Sequence, residues 1–147
     1  MKTKSVWEGR MKFSHVGDSG HSVLTDASPE FGGEGKGSKP TELVLMGLSG
    51  CSGFDVTTML TKMREKVTRF QIEVDADRNV AEPKRFTALR LLYRLEGEIK
   101  PANVEKAIRL SLDKYCSVSN SLNAEICFAY EVNGVRFPTA DKYISRG

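Results

Sequence analysis

Three cysteines, at positions 51, 116 and 127, are the residues of this 147-residue chain best suited to covalent chemistry. Cys51 stands between Ser49-Gly50 and Ser52-Gly53, four small residues that let another thiol, a backbone or a substrate come close. Cys116 is followed by Ser-Val-Ser-Asn-Ser, a run rich in residues that begin helices. Because the thiolate is the nucleophilic form of cysteine, these surroundings favour redox or sulfur chemistry.

Cys51 and Cys116 fall on the buried faces of two different predicted helices, so the two thiols can meet in space. We interpret them as a dithiol pair, in which one thiol is oxidised to a sulfenic acid and the other condenses with it to a disulfide. The alternative is close helix packing around inert thiols, since free cysteines are commonly buried. Cys127 is predicted to be structural, because strand alternation puts it opposite the apolar face of residues 125–132.

Few other side chains are candidates for a site. Asp55 follows Cys51 by four residues, about 40° further around a helix, where a carboxylate raises the pKa of a thiol unless it is itself paired. We interpret Asp55 as a helix-surface or interface residue, with a place in the site as the alternative. His21 follows a predicted turn and is more simply read as a solvated strand residue. The glycine-rich stretch 26–39 fits no phosphate-binding pattern and is predicted to be a mobile connection. The cysteines have no zinc-site spacing, so the sequence predicts no cofactor and no metal.

The elements that must position these residues indicate an α+β fold, with antiparallel sheets around a long central helix. Its core is the stretch 40–65, which opens on Pro40 and carries no charge from Leu43 to Phe54. Apolar side chains occur all around this helix, so we expect it to be buried on every side. The other predicted elements are strands at 5–14, 21–25, about 70–75, 86–99 and 125–132, a turn at 17–20, a second helix from Pro101 and a short third helix near Cys116.

Length and composition predict a single domain over residues 1–147, with 134–147 as an extra tail. The 22 basic and 19 acidic residues nearly balance, which argues against a nucleic-acid partner. The uncharged run is shorter than the roughly 20 residues of a membrane span, so no membrane partner is expected. An odd number of separated cysteines and no apolar leader predict a cytoplasmic protein. A mostly apolar helix of this length needs cover that one chain supplies poorly, which predicts an obligate homodimer.

Three stretches resemble the OsmC/Ohr family, the osmotically inducible and organic-hydroperoxide-resistance proteins. They are PTELVLMGLSGCSGFDV, PKRFTALRLLYRLEG and EKAIRLSLDKYCSVSNSL, in that order, within a similarity that runs from about residue 5 to about residue 133. The resemblance implies an intertwined homodimer that reduces organic hydroperoxides with a cysteine pair at its interface, without metal or nucleotide. Carried over by position, it implies that Cys51 is the reactive thiol and Cys116 the resolving thiol. A dithiol reductant would regenerate the pair.

The chain departs from the peroxidase members at two positions, which places it in a divergent branch. Asp18 stands about where those members have an arginine, and Thr41 stands where they have a glutamate. Glu42 comes one residue after the position of that glutamate. On a continuous helix Glu42 lies about 180° from Cys51, whereas Thr41 lies about 80° away. The leading hypothesis is hydroperoxide reduction. The alternatives are another sulfur task, such as thiol transfer or sensing, and a non-catalytic binding module that uses the dimer crevice.

Overall fold

The computed structural model describes the backbone of residues 1–144 and the side chains of residues 1–137. Within this range it has two α-helices and seven strands, which confirms the α+β class. The helices are α1 (Pro40–Lys62) and α2 (Pro101–Leu110). The strands are β1 (Thr3–Trp7), β2 (Phe13–Gly17), β3 (Ser22–Thr25), β4 (Lys66–Arg78), β5 (Phe86–Glu98), β6 (Glu125–Val132) and β7 (Val135–Ile144).

Residues 1–46 form one compact unit, built on the antiparallel sheet β1–β2–β3. The single strand expected at 5–14 is wrong, because the chain turns back between Trp7 and Phe13, which pair across the hairpin. Gly9 (φ 95°) and Arg10 (φ 52°) take left-handed conformations there, and Glu8 N–H donates to Lys12 O at 2.8 Å. The alternation of apolar residues continues across this turn, which is why it reads as one strand.

The connection at 26–39 is organised around the carboxylate of Asp26, whose residue is 2% exposed. This carboxylate accepts the backbone N–H groups of Ala27 at 2.8 Å, Glu34 at 3.0 Å and Lys36 at 3.1 Å. Burial raises the pKa of Asp26, but the three N–H groups lower it by more, so the net pKa lies below its usual value. Gly33 is required here, because an added Cβ would lie 1.9 Å from Ala27 O.

The second compact unit begins at Gly47 and contains the sheet β4–β5–β6–β7. The predicted antiparallel hairpin of β4 and β5 is confirmed. The expectation of purely antiparallel sheets is wrong for β5 and β6, which pair in parallel because α2 carries the chain back across the sheet between them. The predicted tail contains β7, which joins β6 through the two-residue turn Asn133-Gly134.

The core of this unit lies on one face of the sheet. Alternate residues of β5 and β6 supply it, and they are Leu89, Leu91, Tyr93, Leu95, Ile126, Phe128, Tyr130 and Val132. α1 packs on this face through Ser52, whose hydroxyl lies 2.6 Å from the Tyr93 hydroxyl. α2 packs on the same face, since its Glu105 accepts a hydrogen bond from the Tyr130 hydroxyl. The sheet therefore holds both helices, and with them Cys51 and the segment that follows α2.

α1 ends three residues before the expected boundary, and the expectation that it is buried on every side is wrong within the described part of the chain, which buries one face of the helix. Its buried residues recur every four positions, at Leu48, Ser52, Val56 and Leu60, whereas Phe54 is 78% exposed. By length and composition alone the helix is apolar enough to cross a membrane, and 22% of its most apolar 18-residue stretch is buried within the chain. The core helix of a soluble protein passes the same test of length and composition, and Asp55 ends the uncharged run that begins at Leu43.

We expect a second copy of the chain to cover this open face of α1. A Phe54→Glu variant places a charge in the covered surface and is expected to weaken dimerisation by at least about tenfold. Val80→Glu is the matched control, because Val80 is 93% exposed in the turn between β4 and β5. Light scattering over a dilution series measures the change. A folded wild-type monomer of 16.3 kDa at micromolar concentration would contradict the expectation.

Candidate active site

The structure brings three of the predicted site residues together. Cys51 and Asp55 lie one turn apart on α1, and Cys116 comes from the segment after α2. The sulfur atoms of both cysteines and a carboxylate oxygen of Asp55 all lie within 4.8 Å of one another. The two thiols, 65 residues apart in sequence, are therefore neighbours in space.

Cys116 owes its position to an irregular end of the second helix. α2 continues as a π-helical turn, Ser111–Tyr115, which closes with a hydrogen bond of 2.8 Å from Cys116 N–H to Ser111 O. Cys116 itself is extended (φ −70°, ψ 101°), and its sulfur accepts the N–H of Ser119 at 3.3 Å. The predicted short helix is a 3-10 turn, Ser119–Ser121, that begins three residues after the cysteine.

A chain of buried hydroxyl groups leads from the core to the carboxylate beside the thiols. The Tyr93 hydroxyl lies 2.6 Å from Ser52 Oγ, which lies 3.1 Å from Ser111 Oγ. Ser111 donates to Asp55 Oδ2 at 2.9 Å. Each hydroxyl has one proton and a carboxylate only accepts, so every group is satisfied when the donors run from Tyr93 towards Asp55. Burial raises the pKa of Tyr93 well above its usual range, which keeps this phenol protonated.

Cys51 is the accessible thiol of the pair, and its surroundings favour the thiolate. Burial raises the pKa of Cys51, but the backbone N–H of Val118, the Cys116 thiol and the Ser117 hydroxyl together lower it by more. The Ser117 hydroxyl lies 3.9 Å from the Cys51 sulfur. The charge of Asp55 opposes this and raises the pKa. The net effect is a pKa below the usual value of a cysteine.

Cys116 differs from Cys51 in both its exposure and the direction of its pKa shift. It is fully buried, at 0% exposure, and burial is the largest of the effects that raise its pKa. The neighbouring Cys51 raises the pKa further, while Ser119 lowers it. The pair thus consists of an accessible thiol that ionises first and a buried thiol that stays protonated beside it. This division suits attack by Cys51 on an external electrophile, followed by condensation with Cys116.

The other predicted site residues lie in the first compact unit. Glu42 accepts the backbone N–H of Lys39 at 2.9 Å and so caps the start of its own helix. Thr41 is half-buried in the first turn of α1, and His21 is exposed just before β3. Asp18, at the turn where the family resemblance implies an arginine, accepts the N–H of Lys2 at 2.8 Å.

The site depends on groups that the sequence did not single out. The N–H of Val118 is one, since a backbone donor has no signature in the residue type. Ser111 and Tyr93 are others, because both read as ordinary positions within a helix and a strand. The serine-rich run after Cys116 was the one sequence signal for hydrogen-bond donors near the thiols, although it favoured the thiolate of Cys116 rather than that of Cys51.

The opposing effect of Asp55 predicts a pH dependence. In the presence of a metal chelator, alkylation of Cys51 by iodoacetamide is expected to rise with pH and level off at lower pH than alkylation of Cys116. Asp55→Asn removes the charge that raises the Cys51 pKa, so the Cys51 profile is expected to move to lower pH. Peptide mass spectrometry over a pH series measures both sites. Asp113→Asn is the control, because Asp113 is exposed and is not among the groups that shift the pKa of either thiol. A shift of the Cys51 profile to higher pH in Asp55→Asn would contradict the assignment.

Comparisons with known proteins show what this chain is similar to. The family model described as OsmC-like protein matches residues 33–131, a range that includes both thiols of the pair. Protein YhfA of Escherichia coli K12 is 35% identical over 135 residues, covering 90% of this chain and 98% of YhfA. A hypothetical protein from Aquifex aeolicus VF5 is 27% identical, with a TM-score of 0.75 over 90% of this chain and 96% of that one. An organic hydroperoxide resistance protein from Legionella pneumophila is 16% identical, with a TM-score of 0.69 over 89% and 96%, which shows a shared fold.

Proposed function

The chain belongs to the OsmC/Ohr family, and we propose that it reduces organic hydroperoxides through a dithiol–disulfide cycle of Cys51 and Cys116. Support comes from the family and from related structures that are named organic hydroperoxide resistance proteins, which together support a role in redox stress. The observation that carries the proposal is the proximity of an accessible, activated thiol to a buried one. No metal or nucleotide takes part in the proposed cycle.

The proposed cycle has two oxidative steps and one reductive step. The Cys51 thiolate attacks the outer oxygen of the hydroperoxide, the O–O bond breaks, and one proton completes the alcohol product, which leaves Cys51 as a sulfenic acid. The Cys116 sulfur then attacks the Cys51 sulfur, a disulfide forms, and the hydroxyl leaves as water with the Cys116 proton. An external dithiol reduces this disulfide by exchange and restores both thiols.

The geometry suits the second step. A disulfide requires the two sulfurs to approach to about 2.0 Å, and they begin within 4.8 Å of each other. Cys51 lies on a regular helix, while Cys116 follows a π-helical turn and has an extended backbone. We therefore assign most of the required adjustment to the segment around Cys116.

The test is a single-turnover reaction with an organic hydroperoxide such as cumene hydroperoxide, in the absence of any reductant. The proposal requires the loss of one hydroperoxide per chain and a disulfide that peptide mapping places between Cys51 and Cys116. Added dithiol should restore both thiols and permit a second turnover. A hydroperoxide that remains unconsumed while both thiols stay reduced would refute the proposed activity.

Cys127 supplies the matched control for this reaction. β6 directs its neighbours Ile126 and Phe128 into the core, and Cys127 itself pairs with Arg90 on the other face of the sheet. A Cys127→Ser variant is therefore expected to consume hydroperoxide within a few-fold of the wild-type rate. The same assay measures it, and a complete loss of activity in a folded Cys127→Ser protein would mean that the reacting pair is misassigned.

One observation favours a second candidate function, thiol–disulfide exchange or sensing. Among the described residues, the groups that lower the Cys51 pKa are an N–H, a thiol and a hydroxyl, and the charged group beside it is the carboxylate of Asp55. The best attacking thiol in disulfide exchange has a pKa near ambient pH, and the lowered pKa of Cys51 moves this thiol towards that optimum. Faster reaction of Cys51 with oxidised glutathione than with hydroperoxides would select this candidate.

The setting proposed for this cycle is a homodimer in the cytoplasm. Family membership supports a dimer, and the one-sided cover of α1 supplies the apolar surface that a partner would bury. A cytoplasmic dithiol protein is the proposed reductant, because reducing compartments maintain such partners.

A further inference from the structure

The cluster at the thiol pair contains the donor atoms of a metal site. Two sulfurs, from Cys51 and Cys116, and one carboxylate oxygen, from Asp55, lie within 4.8 Å of one another. Thiolate and carboxylate are both common zinc ligands, and bonds of about 2.3 Å to sulfur put two sulfurs of a tetrahedral site about 3.8 Å apart. Side-chain movements of about 1 Å would therefore bring all three atoms around one ion.

Each of these three side chains makes a hydrogen bond to a serine outside the cluster. Ser111 donates to Asp55 Oδ2 at 2.9 Å, and an ionised carboxylate keeps further lone pairs that can bind a cation. Ser119 N–H donates to the sulfur of Cys116 at 3.3 Å, and the Ser117 hydroxyl lies 3.9 Å from the sulfur of Cys51. Protein metal ligands are typically oriented by such outer partners, and these partners contribute substantially to affinity. The cluster thus has the supporting contacts of a built site as well as its ligands.

The charge of the cluster favours a cation. With both thiols ionised, the three ligands carry three negative charges, and the hydrogen bond that the structure shows to Asp55 comes from the neutral hydroxyl of Ser111. A divalent cation would displace one proton from each thiol and leave a net charge of −1. Three protein ligands leave a fourth tetrahedral position open to water.

We propose that Cys51, Asp55 and Cys116 bind one thiophilic divalent cation per chain, with Zn²⁺ as the reference ion, and that the bound ion protects the thiol pair from oxidation. The cysteine spacing predicted no metal, because the ligands converge only in the folded chain. A sulfur lone pair engaged in a metal bond is withdrawn from attack on an electrophile. Once a disulfide has formed, Asp55 is the only ligand left and the ion is released. Metal binding and the disulfide therefore exclude each other.

The test uses untagged protein that is fully reduced, stripped with a chelator and kept free of hydroperoxide. Zn²⁺ is titrated in competition with a chromophoric chelator, and Co²⁺ is added separately to detect a thiolate-to-metal charge-transfer band. We expect one ion per chain and a cobalt band for the wild type and for the control Cys127→Ser. Cys51→Ser and Cys116→Ser should lose the band. Asp55→Asn should bind Zn²⁺ at least about tenfold more weakly, since even outer partners of metal ligands contribute about that much.

A measurement on wild-type protein guards against variants that fail to fold. Protein oxidised with diamide should bind no Zn²⁺ and regain the site on reduction, and Zn²⁺ should protect both thiols of the reduced protein from alkylation. Zinc binding that persists in Cys51→Ser or in the oxidised protein overturns the proposal, and so does an unchanged affinity in Asp55→Asn. Because no hydroperoxide is present, this result is independent of whether the protein proves to be a peroxidase.

Discussion

A Cys51→Ser variant is expected to consume no organic hydroperoxide, whereas a Cys116→Ser variant is expected to react once and stop. The asymmetry follows from exposure and ionisation. Cys51 is accessible and has a lowered pKa, while Cys116 is fully buried and has a raised one. A serine hydroxyl at position 51 is a far weaker nucleophile than a thiolate at neutral pH.

The Cys116→Ser variant and the wild type are expected to give different oxidation products. Without Cys116, the sulfenic acid on Cys51 has no thiol beside it, so the protein should gain one oxygen atom and react with a sulfenic-acid trap. The wild type should instead lose two hydrogens as the disulfide forms. Intact-mass analysis after one equivalent of hydroperoxide, without reductant, separates these products, with Cys127→Ser as the control. Consumption by Cys51→Ser together with an inert Cys116→Ser would reverse the two roles.

Much of the second compact unit could be predicted from sequence, because its patterns are local. The strand predicted at 125–132 has those bounds as β6, and the face assigned to Ile126, Phe128 and Tyr130 is the buried one. The hairpin of β4 and β5 follows from alternation. In the first unit, the start of α1 at Pro40 follows in the same way from a proline at the first helical position. Each of these predictions needed only patterns within one element or between two elements that follow each other in the chain.

The errors arose where a pattern continues across a change of direction or where partners are distant in sequence. The turn between Trp7 and Phe13 preserves the apolar alternation, so nothing in the period marks it. The parallel pairing of β5 with β6 depends on the path of α2, which periodicity does not encode. Within the site, the proximity of the thiols was a hypothesis that sequence could raise, but the contact of Ser111 with Asp55 needed coordinates.

The last prediction concerns Tyr93, which joins the core to the site. Its ring is fully buried, stacks on Phe70 with centroids 6.3 Å apart, and meets Phe128 edge-on at 6.4 Å. Its hydroxyl starts the chain of hydrogen bonds that ends at Asp55. One residue thus supplies both apolar packing and a polar anchor, and two substitutions separate these contributions.

Tyr93→Ala removes both contributions and leaves a cavity under α1, so it is expected to lower the free energy of unfolding by about 3–5 kcal/mol. Tyr93→Phe keeps the ring and removes only the donor to Ser52, which is expected to cost about 1 kcal/mol, close to the net value of one hydrogen bond. Tyr115→Ala is the control, because Tyr115 is 52% exposed, and its cost should stay within about 0.5 kcal/mol. Urea denaturation at one fixed protein concentration measures all three, so that any contribution of self-association to the midpoint is the same for each variant. If Tyr93→Phe proves as costly as Tyr93→Ala, the hydroxyl chain rather than the aromatic packing holds α1 on the sheet.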